Sequence, residues 1–263
     1  MRYVRLYFAY AKRSLMSKFI YKANTLVGII GFLFIEISSL LTLYLIIDVV
    51  PSLDGYSKYQ IGMLFALTNM AIGIDHLFTD RLWEVAYWEV KDGKMDHMYL
   101  RPVPILFQVI ASTIQLEAFG EILVATGLLF VCSSQVSMTL TFANVLLIII
   151  GVLCASIIIS SFKIMVTSLA FIFKRSGALL QFIYNFATYS KYPLKIFPSV
   201  IRFVLMFIIP LGICIFIPFD SLFNPTYNPY LLSLCMAGIT LLFMIVSLCV
   251  WRFCAKRYES TGS

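Results

Sequence analysis

Long apolar runs, separated by gaps that are alternately basic and nearly uncharged, dominate this sequence. The hydrocarbon core of a bilayer is about 30 Å thick, so a helix needs roughly 20 apolar residues to cross it. The runs predict six transmembrane helices, at Leu26–Ile47, Ile61–Phe78, Ile105–Val131, Phe142–Phe173, Ile201–Phe219 and Tyr230–Trp251. Charged residues make up 13% of the chain, against about 25% in soluble domains. We therefore expect an all-α polytopic membrane protein with a single transmembrane domain over residues 1–263.

The basic residues indicate which side of the membrane each gap faces. Eighteen of the 20 Lys and Arg residues lie in or beside four gaps. They are Arg2, Arg5, Lys12, Arg13, Lys18 and Lys22; Arg81, Lys91, Lys94 and Arg101; Lys174, Arg175, Lys191, Lys195 and Arg202; and Arg252, Lys256 and Arg257. Because cytoplasmic loops retain Lys and Arg, we predict that these gaps and both termini are cytoplasmic. The net charge of +7 then reflects orientation and anionic lipids rather than nucleic-acid binding.

The first 22 residues are predicted to form an amphipathic helix in the cytoplasmic headgroup layer. Apolar side chains recur on one face, at Val4, Tyr7, Phe8, Ala11, Leu15 and Phe19. Basic side chains gather on another face, at Arg2, Arg5, Lys12 and Arg13. Such a separation is typical of interfacial helices. A plain basic flank of the first span is the alternative.

The gap from Lys174 to Arg202 mixes basic and apolar residues. Its apolar stretch, Ala178–Ala187, has ten residues, which is too short to cross a bilayer. Pro193 and Pro198 interrupt any helix that continues toward the fifth span. We expect a cytoplasmic interfacial helix followed by a bent entry, with a re-entrant segment as the alternative.

Four ionisable residues lie deep inside the predicted spans: Glu36, Glu117, Glu121 and Lys163. Counted at 1.5 Å per residue, Glu36, Glu117 and Lys163 are roughly 15–18 Å from the cytoplasmic ends. A charge at that depth is costly unless it is paired or hydrated. One interpretation is that Lys163 pairs with one of the carboxylates and fixes helix packing. The other is a polar substrate path or a seam between two subunits.

The sequence offers little support for enzyme chemistry, and we expect no catalytic residue and no metal site. Asp75 and His76 are adjacent, so on a helix they point about 100° apart. None of the six Cys residues forms a C-x-x-C pair or shares metal-ligand spacing with a His. The phosphate-binding motif G-x-x-x-x-G-K-[ST] does not occur in the sequence either. If ATP drives this protein, another polypeptide hydrolyses it.

The gap between the second and third spans is the most distinctive polar segment. Trp83, Tyr87 and Val90 share one helical face. Gly93 then ends the helix with a turn, and Pro102 leads into the next span. An aromatic anchor at the membrane surface is one account. A helix that docks onto a cytoplasmic partner is the other.

Two stretches resemble the permeases of type-2 ABC exporters, in a bacterial branch with six spans and no fused ATPase. The stretch Gly93–Pro102 is similar to the family's "G-x-x-D…L-R-P" segment, at Gly93, Asp96, Leu100, Arg101 and Pro102. A later run is similar to its "Y-P…P…R…P…P" pattern, at Tyr192, Pro193, Pro198, Arg202, Pro210 and Pro218. With the N-terminal helix and six spans, the resemblance covers nearly the whole chain.

The resemblance implies a permease subunit of a bacterial cell membrane, paired with a second permease and with two ATPase subunits that bind ATP and Mg. It implies that 81–90 is the coupling helix that docks into the ATPase. The coupling residues are then Trp83, Glu84, Tyr87, Trp88, Gly93, Asp96, Arg101 and Pro102. The cargo is expected to be lipid-like, peptide or drug-like, and the short loop Asp220–Pro229 argues against an elaborate extracellular gate. The alternative hypothesis is a membrane-embedded enzyme or a non-transporting subunit that uses the Glu and Lys cluster.

Overall fold

The computed structural model describes residues 2–49, 52–138 and 141–260, and those residues are mainly helical. One short antiparallel hairpin, β1 (Ser52–Leu53) and β2 (Tyr56–Ser57), precedes the third helix. The α-helices in the described ranges are α1 Arg2–Ile20, α2 Lys22–Val49, α3 Lys58–Thr79, α4 Arg81–Glu84, α5 Asp96–Tyr99, α6 Ile105–Ala111, α7 Ala118–Ser133, α8 Phe142–Ser168, α9 Ala170–Phe173, α10 Gly177–Thr188, α11 Ser199–Phe203, α12 Ile217–Asp220 and α13 Pro229–Ala255.

In the part of the chain that the structure describes, four helical segments are long and apolar enough to cross a membrane, which makes this a multi-pass membrane protein. They are Lys22–Leu45, Lys58–Thr79, Phe142–Phe173 and Pro229–Ala255. Each overlaps a predicted span. The other two predicted spans, the third and the fifth, are not straight helices, and the reason differs between them.

The run Ile105–Val131, predicted as one span, is divided into α6 and α7 by an irregular segment at residues 112–117. Backbone groups in this break find partners outside their own helix. The Gln115 N–H donates to the Leu77 carbonyl at 3.2 Å, and the Ile114 N–H donates to the Ser14 hydroxyl at 3.1 Å. Irregular backbone is tolerated at such a place when the surrounding protein supplies its hydrogen bonds.

Helix α3 is the central element, and most of its residues are buried. It begins at a capping box in which Ser57 and Gln60 satisfy each other's backbone N–H. We call the end of α3 next to β1 and β2 the hairpin end and its opposite end the tail end. At the tail end a single turn residue, Asp80, precedes α4, and a π-helical stretch, Val85–Glu89, follows α4 directly. The helical path therefore runs from Lys58 to Glu89.

The segment after Lys174 crosses the whole length of α3, so our prediction of an interfacial helix confined to one side was wrong. Contacts with α3 and its extension follow one another in order. They are Ser176 N–H to the Ala86 carbonyl at 2.9 Å, Tyr184 hydroxyl to His76 at 2.5 Å, Thr68 hydroxyl to the Ser190 carbonyl at 3.0 Å, Lys191 over the Phe65 ring at 4.7 Å, and Lys195 to Asp54 at 3.7 Å. Helix α10 covers about half of this distance. Two 3₁₀ turns, Tyr189–Lys191 and Leu194–Ile196, complete it.

The five basic residues of this segment consequently do not lie together. Lys174 is at the tail end, where its ammonium group donates to the Glu259 carbonyl at 2.7 Å. Lys195 is at the hairpin end beside Asp54, and Arg202 donates to the Lys195 carbonyl at 3.1 Å. The length criterion could not predict this path, because helix, 3₁₀ turns and Pro-bounded extended residues together contain no continuous apolar run of 20 residues.

The predicted fifth span, Ile201–Phe219, is a bent pair of helical segments rather than one helix. Ser199–Ile208 and Gly212–Asp220 meet at 82°, and Pro210 at the break has no N–H to continue the helix. Both outer ends lie at the hairpin end, since Arg202 contacts Lys195 there and the Tyr56 hydroxyl donates to Asp220. The pair is therefore re-entrant.

Helix α1 uses its predicted apolar face differently from our expectation. Ala11 is buried, and Tyr7 and Leu15 are half-buried against the rest of the protein, whereas Val4 and Phe8 are exposed. The Tyr3 ring contacts Phe107 of α6 edge-on, with the ring centroids 5.5 Å apart. One side of the helix thus packs against the protein, and a separate apolar side stays uncovered.

Candidate functional site

A buried ion pair joins α3 to α8 near the tail end. The Lys163 ammonium group lies 2.5 Å from an Asp75 carboxylate oxygen, and both side chains are at most 1% exposed. The other Asp75 oxygen accepts hydrogen bonds from the hydroxyls of Thr79 and Ser160, each at 2.6 Å. Helical spacing places Thr79 one turn after Asp75, while Ser160 lies one turn before Lys163 on α8.

A second chain of polar groups runs from α7 through α3 to α10. The His76 Nδ1 atom lies 2.8 Å from a Glu121 oxygen, and its Nε2 atom lies 2.5 Å from the Tyr184 hydroxyl. The His76 and Tyr184 rings are stacked, with centroids 5.6 Å apart and an interplanar angle of 21°. Because Asp75 and His76 point in different directions on α3, together they attach it to three other helices.

Aromatic rings connect the two polar groups. The Lys163 ammonium group lies 5.6 Å from the Tyr184 ring centroid and 5.9 Å from that of Trp83, within the range of a cation–π contact. The cavity beside Lys163 measures about 10 Å³, which is room for a single water at most. This cluster of Asp75, His76, Glu121, Lys163 and Tyr184, which we call the polar cluster, is closed to any cargo of organic size.

The four predicted intramembrane residues are all buried, but Lys163 does not pair with any of the three glutamates. Glu117 pairs with Lys18 of α1 at 2.9 Å, and Glu36 accepts a hydrogen bond from Asn69 at 2.8 Å. Sequence reasoning missed Asp75, His76 and Tyr184 as members of one site. The available signal was that two adjacent polar residues on a mostly buried helix must each face a different neighbour.

The predicted coupling residues fall into an inward group and an outward group. Trp83 is stacked on Tyr87, and the Tyr87 ring occupies the space beside Gly177, where an added Cβ atom would lie 2.5 Å from it. Glu84 and Trp88 face outward, and Trp88 is 45% exposed. The outward face of this segment is therefore the one that can touch another protein.

The loop after this segment is held by its own turn and by both ends of the chain. Gly93 has φ 68°, a left-handed conformation that favours glycine, and the Lys94 N–H bonds back to the Glu89 carbonyl at 3.0 Å. Arg101, which precedes Pro102, donates to the Tyr10 hydroxyl of α1 at 3.1 Å. The loop therefore has a fixed conformation.

The C-terminal residues close over Asp96. Its two carboxylate oxygens accept hydrogen bonds from the hydroxyls of Tyr258, at 2.6 Å, and Ser260, at 2.7 Å. The Tyr258 bond and then the Ser260 bond hold the pKa of the Asp96 carboxyl below its usual value. Because the ionised form is the one favoured in the fold, this contact should persist at neutral pH and weaken only as the pH falls below the ordinary Asp range of about 3.9.

Removing the Asp96 carboxylate should release the C-terminal residues. We expect Asp96→Ala to increase the rate of trypsin cleavage after Arg257 several-fold, because Tyr258 and Ser260 lose their acceptor. Asp92→Ala is the matched control, since Asp92 is exposed and forms a surface pair with Lys94 at 3.6 Å. Equal cleavage rates in the two variants would contradict the proposed anchoring of the tail. Mass spectrometry of the digest measures the cleavage.

Comparison with known protein families identifies the family of this chain. A family model described as "ABC-2 family transporter protein" matches residues 33–262. No curated protein and no solved structure matches the chain. The matched range begins within α2 and includes every later helix, so it contains the polar cluster and the segment that carries Trp88.

Proposed function

This chain belongs to the ABC-2 family of transporter proteins, and we propose that it is the membrane-spanning permease subunit of an ATP-driven exporter. Family membership makes it the membrane component of an ABC transporter. We further propose that separate ATPase subunits bind ATP and Mg, and that a second permease completes the complex in the bacterial cell membrane. The phosphate-binding motif that the sequence lacks would then be carried by those ATPase subunits.

The observation that carries this proposal is the continuous helical path from Lys58 to Glu89. It extends from the hairpin end to the outward residues Glu84 and Trp88. A force applied at Trp88 therefore acts on a helix that contacts α7, α8 and α10 through the polar cluster. Closure of an ATPase dimer could move the transmembrane helices by this route without a flexible linker.

We propose that the tail end faces the cytoplasm and that the chain crosses the membrane six times. The basic residues at that end support the orientation, because cytoplasmic loops retain them; they include Lys18, Arg81, Arg101, Lys174 and Arg252. The crossings would be α2, α3, α6 with α7, α8, the segment Gly177–Ile196, and α13. The bent pair would enter and leave from the outer side.

The cargo route is proposed to lie between two permeases rather than within one. The space beside Lys163 is too small for cargo, whereas α2 has little buried surface and presents large apolar side chains outward, among them Phe34 and Tyr44. A path bounded by such surfaces would suit a lipid-like, peptide or drug-like molecule. The polar cluster then holds the helices of one subunit together and does not line the route.

Truncation of Trp88 tests the coupling role. We expect Trp88→Ala to weaken association with the partner ATPase at least about tenfold, since exposed tryptophans at interface centres often contribute more than 2 kcal/mol. Stimulation of ATP hydrolysis by the purified permease should fall in parallel. Trp83 and Tyr87 are poor choices for this test, because their half-buried side chains pack against α10.

Phe130→Ala is the control for this experiment, because Phe130 is 76% exposed on α7, away from the coupling segment. It should leave both association and ATP hydrolysis unchanged. If Trp88→Ala behaves like Phe130→Ala, the outward face does not dock the ATPase. If the purified chain instead converts a substrate with no ATPase present, the exporter proposal fails and the membrane-embedded enzyme replaces it.

A further inference from the structure

A polar cavity of about 420 Å³ lies at the tail end, between α1, the start of α4 and α6. Four cationic side chains from three separate parts of the chain line it. They are Arg13, Lys18, Arg81 and Arg101. Among the described residues that line the cavity, Glu84 is the single carboxylate.

Two of the four cations are already neutralised and two are not. Lys18 pairs with Glu117 and Arg81 pairs with Glu89, each at 2.9 Å. In the described part of the chain, no carboxylate lies within the 4.0 Å ion-pair limit of Arg13 or Arg101. Positive charge is therefore concentrated on two guanidinium groups that come from different elements.

The wall of the cavity also holds buried polar atoms without a partner. They are the Arg81 Nε–H donor and the Gln108 Oε1 acceptor. The Gln108 amide nitrogen donates to the carbonyls of Met98 and Val103, both at 2.9 Å, so its orientation is fixed and its oxygen remains free. Buried unpaired groups of this kind are costly. Both atoms are enclosed within the wall and are not themselves open to the cavity.

The location of α1 indicates where such an occupant is plentiful. Val4, Phe8 and Phe19 form an exposed apolar side of α1, and Arg5 and Lys12 lie beside them. A helix with this surface lies at the boundary between lipid headgroups and acyl chains. The cavity beneath it is then at the depth of the phospholipid phosphates.

We propose that this cavity binds the phosphate group of an anionic phospholipid headgroup. Arg13 and Arg101 contact the phosphate oxygens, since guanidinium groups match phosphate geometry. A bound headgroup joins α1 to the loop that follows the coupling segment. The binding itself does not depend on transport, so it is tested separately.

The test uses the full chain in phosphatidylcholine nanodiscs, with phosphatidylglycerol added in steps and bound lipid counted by native mass spectrometry. We expect Arg13→Ala with Arg101→Ala to weaken phosphatidylglycerol binding about tenfold or more, from the loss of two charged hydrogen bonds. Arg5→Ala with Lys12→Ala removes the same charge from exposed positions outside the cavity. That control should change binding less than about twofold.

Further arms identify the source of the phosphate and guard against a folding defect. Thr113→Glu places a carboxylate among the lining residues while keeping every cation, and it should also abolish binding. If soluble glycerol 3-phosphate displaces the lipid, the site binds free phosphate esters. If the lipid stays bound in the presence of glycerol 3-phosphate, the site binds lipid headgroups. Equal losses in both double variants would overturn the proposal in favour of diffuse surface charge. A last arm follows protection of the Arg101 side chain from chemical modification. Protection by the ATPase but not by phosphatidylglycerol would overturn the proposal and assign Arg101 to a protein contact.

Discussion

Lys163→Met should destabilise the protein by about 3–5 kcal/mol, because it leaves the Asp75 carboxylate buried without a counter-charge. Asp75 is 0% exposed, and its remaining partners, Thr79 and Ser160, are neutral hydroxyls. Thermal unfolding in lipid nanodiscs, followed by the amount of monodisperse protein after heating, measures the loss. We expect the variant to be poorly recovered even at moderate temperature.

Removing both charges should restore most of that stability. In Lys163→Met with Asp75→Asn, the amide oxygen at position 75 can still accept from Thr79 and Ser160, and no charge remains buried. Replacing a whole buried ion pair is often close to neutral. A double variant as unstable as the single one would show that Lys163 stabilises the protein through its cation–π contacts with Trp83 and Tyr184 rather than by neutralising Asp75.

Lys195→Met provides the matched control for this series. It makes the same substitution in a Lys–Asp pair, but the Lys195 side chain is 64% exposed and lies 3.7 Å from Asp54. Exposed pairs contribute about 0–1 kcal/mol, so this variant should unfold almost like the wild type. The comparison separates the effect of burial from the effect of losing a lysine.

Gly151→Val should displace the bent pair from α8. A Cβ atom at Gly151 would collide with the backbone carbonyl oxygen of Cys214 and lie 3.4 Å from the Pro218 ring. The backbone cannot move aside as a side chain can. We therefore expect the free energy of unfolding to fall by at least the ~1–3 kcal/mol that is typical of overpacking. Hydrogen exchange of residues 212–220 should accelerate, because the support beneath them is lost.

Gly127→Val is the control, since nothing lies within 4 Å of the added Cβ atom on α7. Valine is at least as good a helix former as glycine, so this variant should be neutral in both measurements. If Gly151→Val is equally neutral, the bent pair does not pack against α8 in the membrane. Loss of transport with an intact ATPase interaction would indicate that the pair acts in the cargo route.

Particular residues show how far sequence reasoning reached at the site. Glu36, Glu117, Glu121 and Lys163 were singled out because a charge in a long apolar run has to be paired or hydrated, and all four are buried. The partners could not be assigned, because pairing depends on the rotation and depth of each helix relative to the others. Lys163 meets Asp75 and not a glutamate for that reason, and Glu117 meets Lys18 from a helix outside the core.

The coupling segment shows the same limit of sequence reasoning, here for residues that are close together in the sequence. Helical spacing correctly grouped Trp83 with Tyr87 on one face. Which face would be covered depended on α10, which packs Gly177 against Tyr87 and leaves Trp88 outside. The variant that tests docking therefore changes from Trp83 to Trp88.

The sequence by itself determined that this is a helical membrane protein, and it located the four long helices that could cross a bilayer. Those properties follow from the hydropathy and length of local segments, which need no knowledge of the rest of the fold. Only the tertiary structure decided that Gly177–Ile196 runs alongside α3, that residues 199–220 turn back, and which polar groups meet. Each of these depends on backbone groups and charges whose partners lie in distant parts of the chain. The sequence next to such a group does not show which distant residue is its partner.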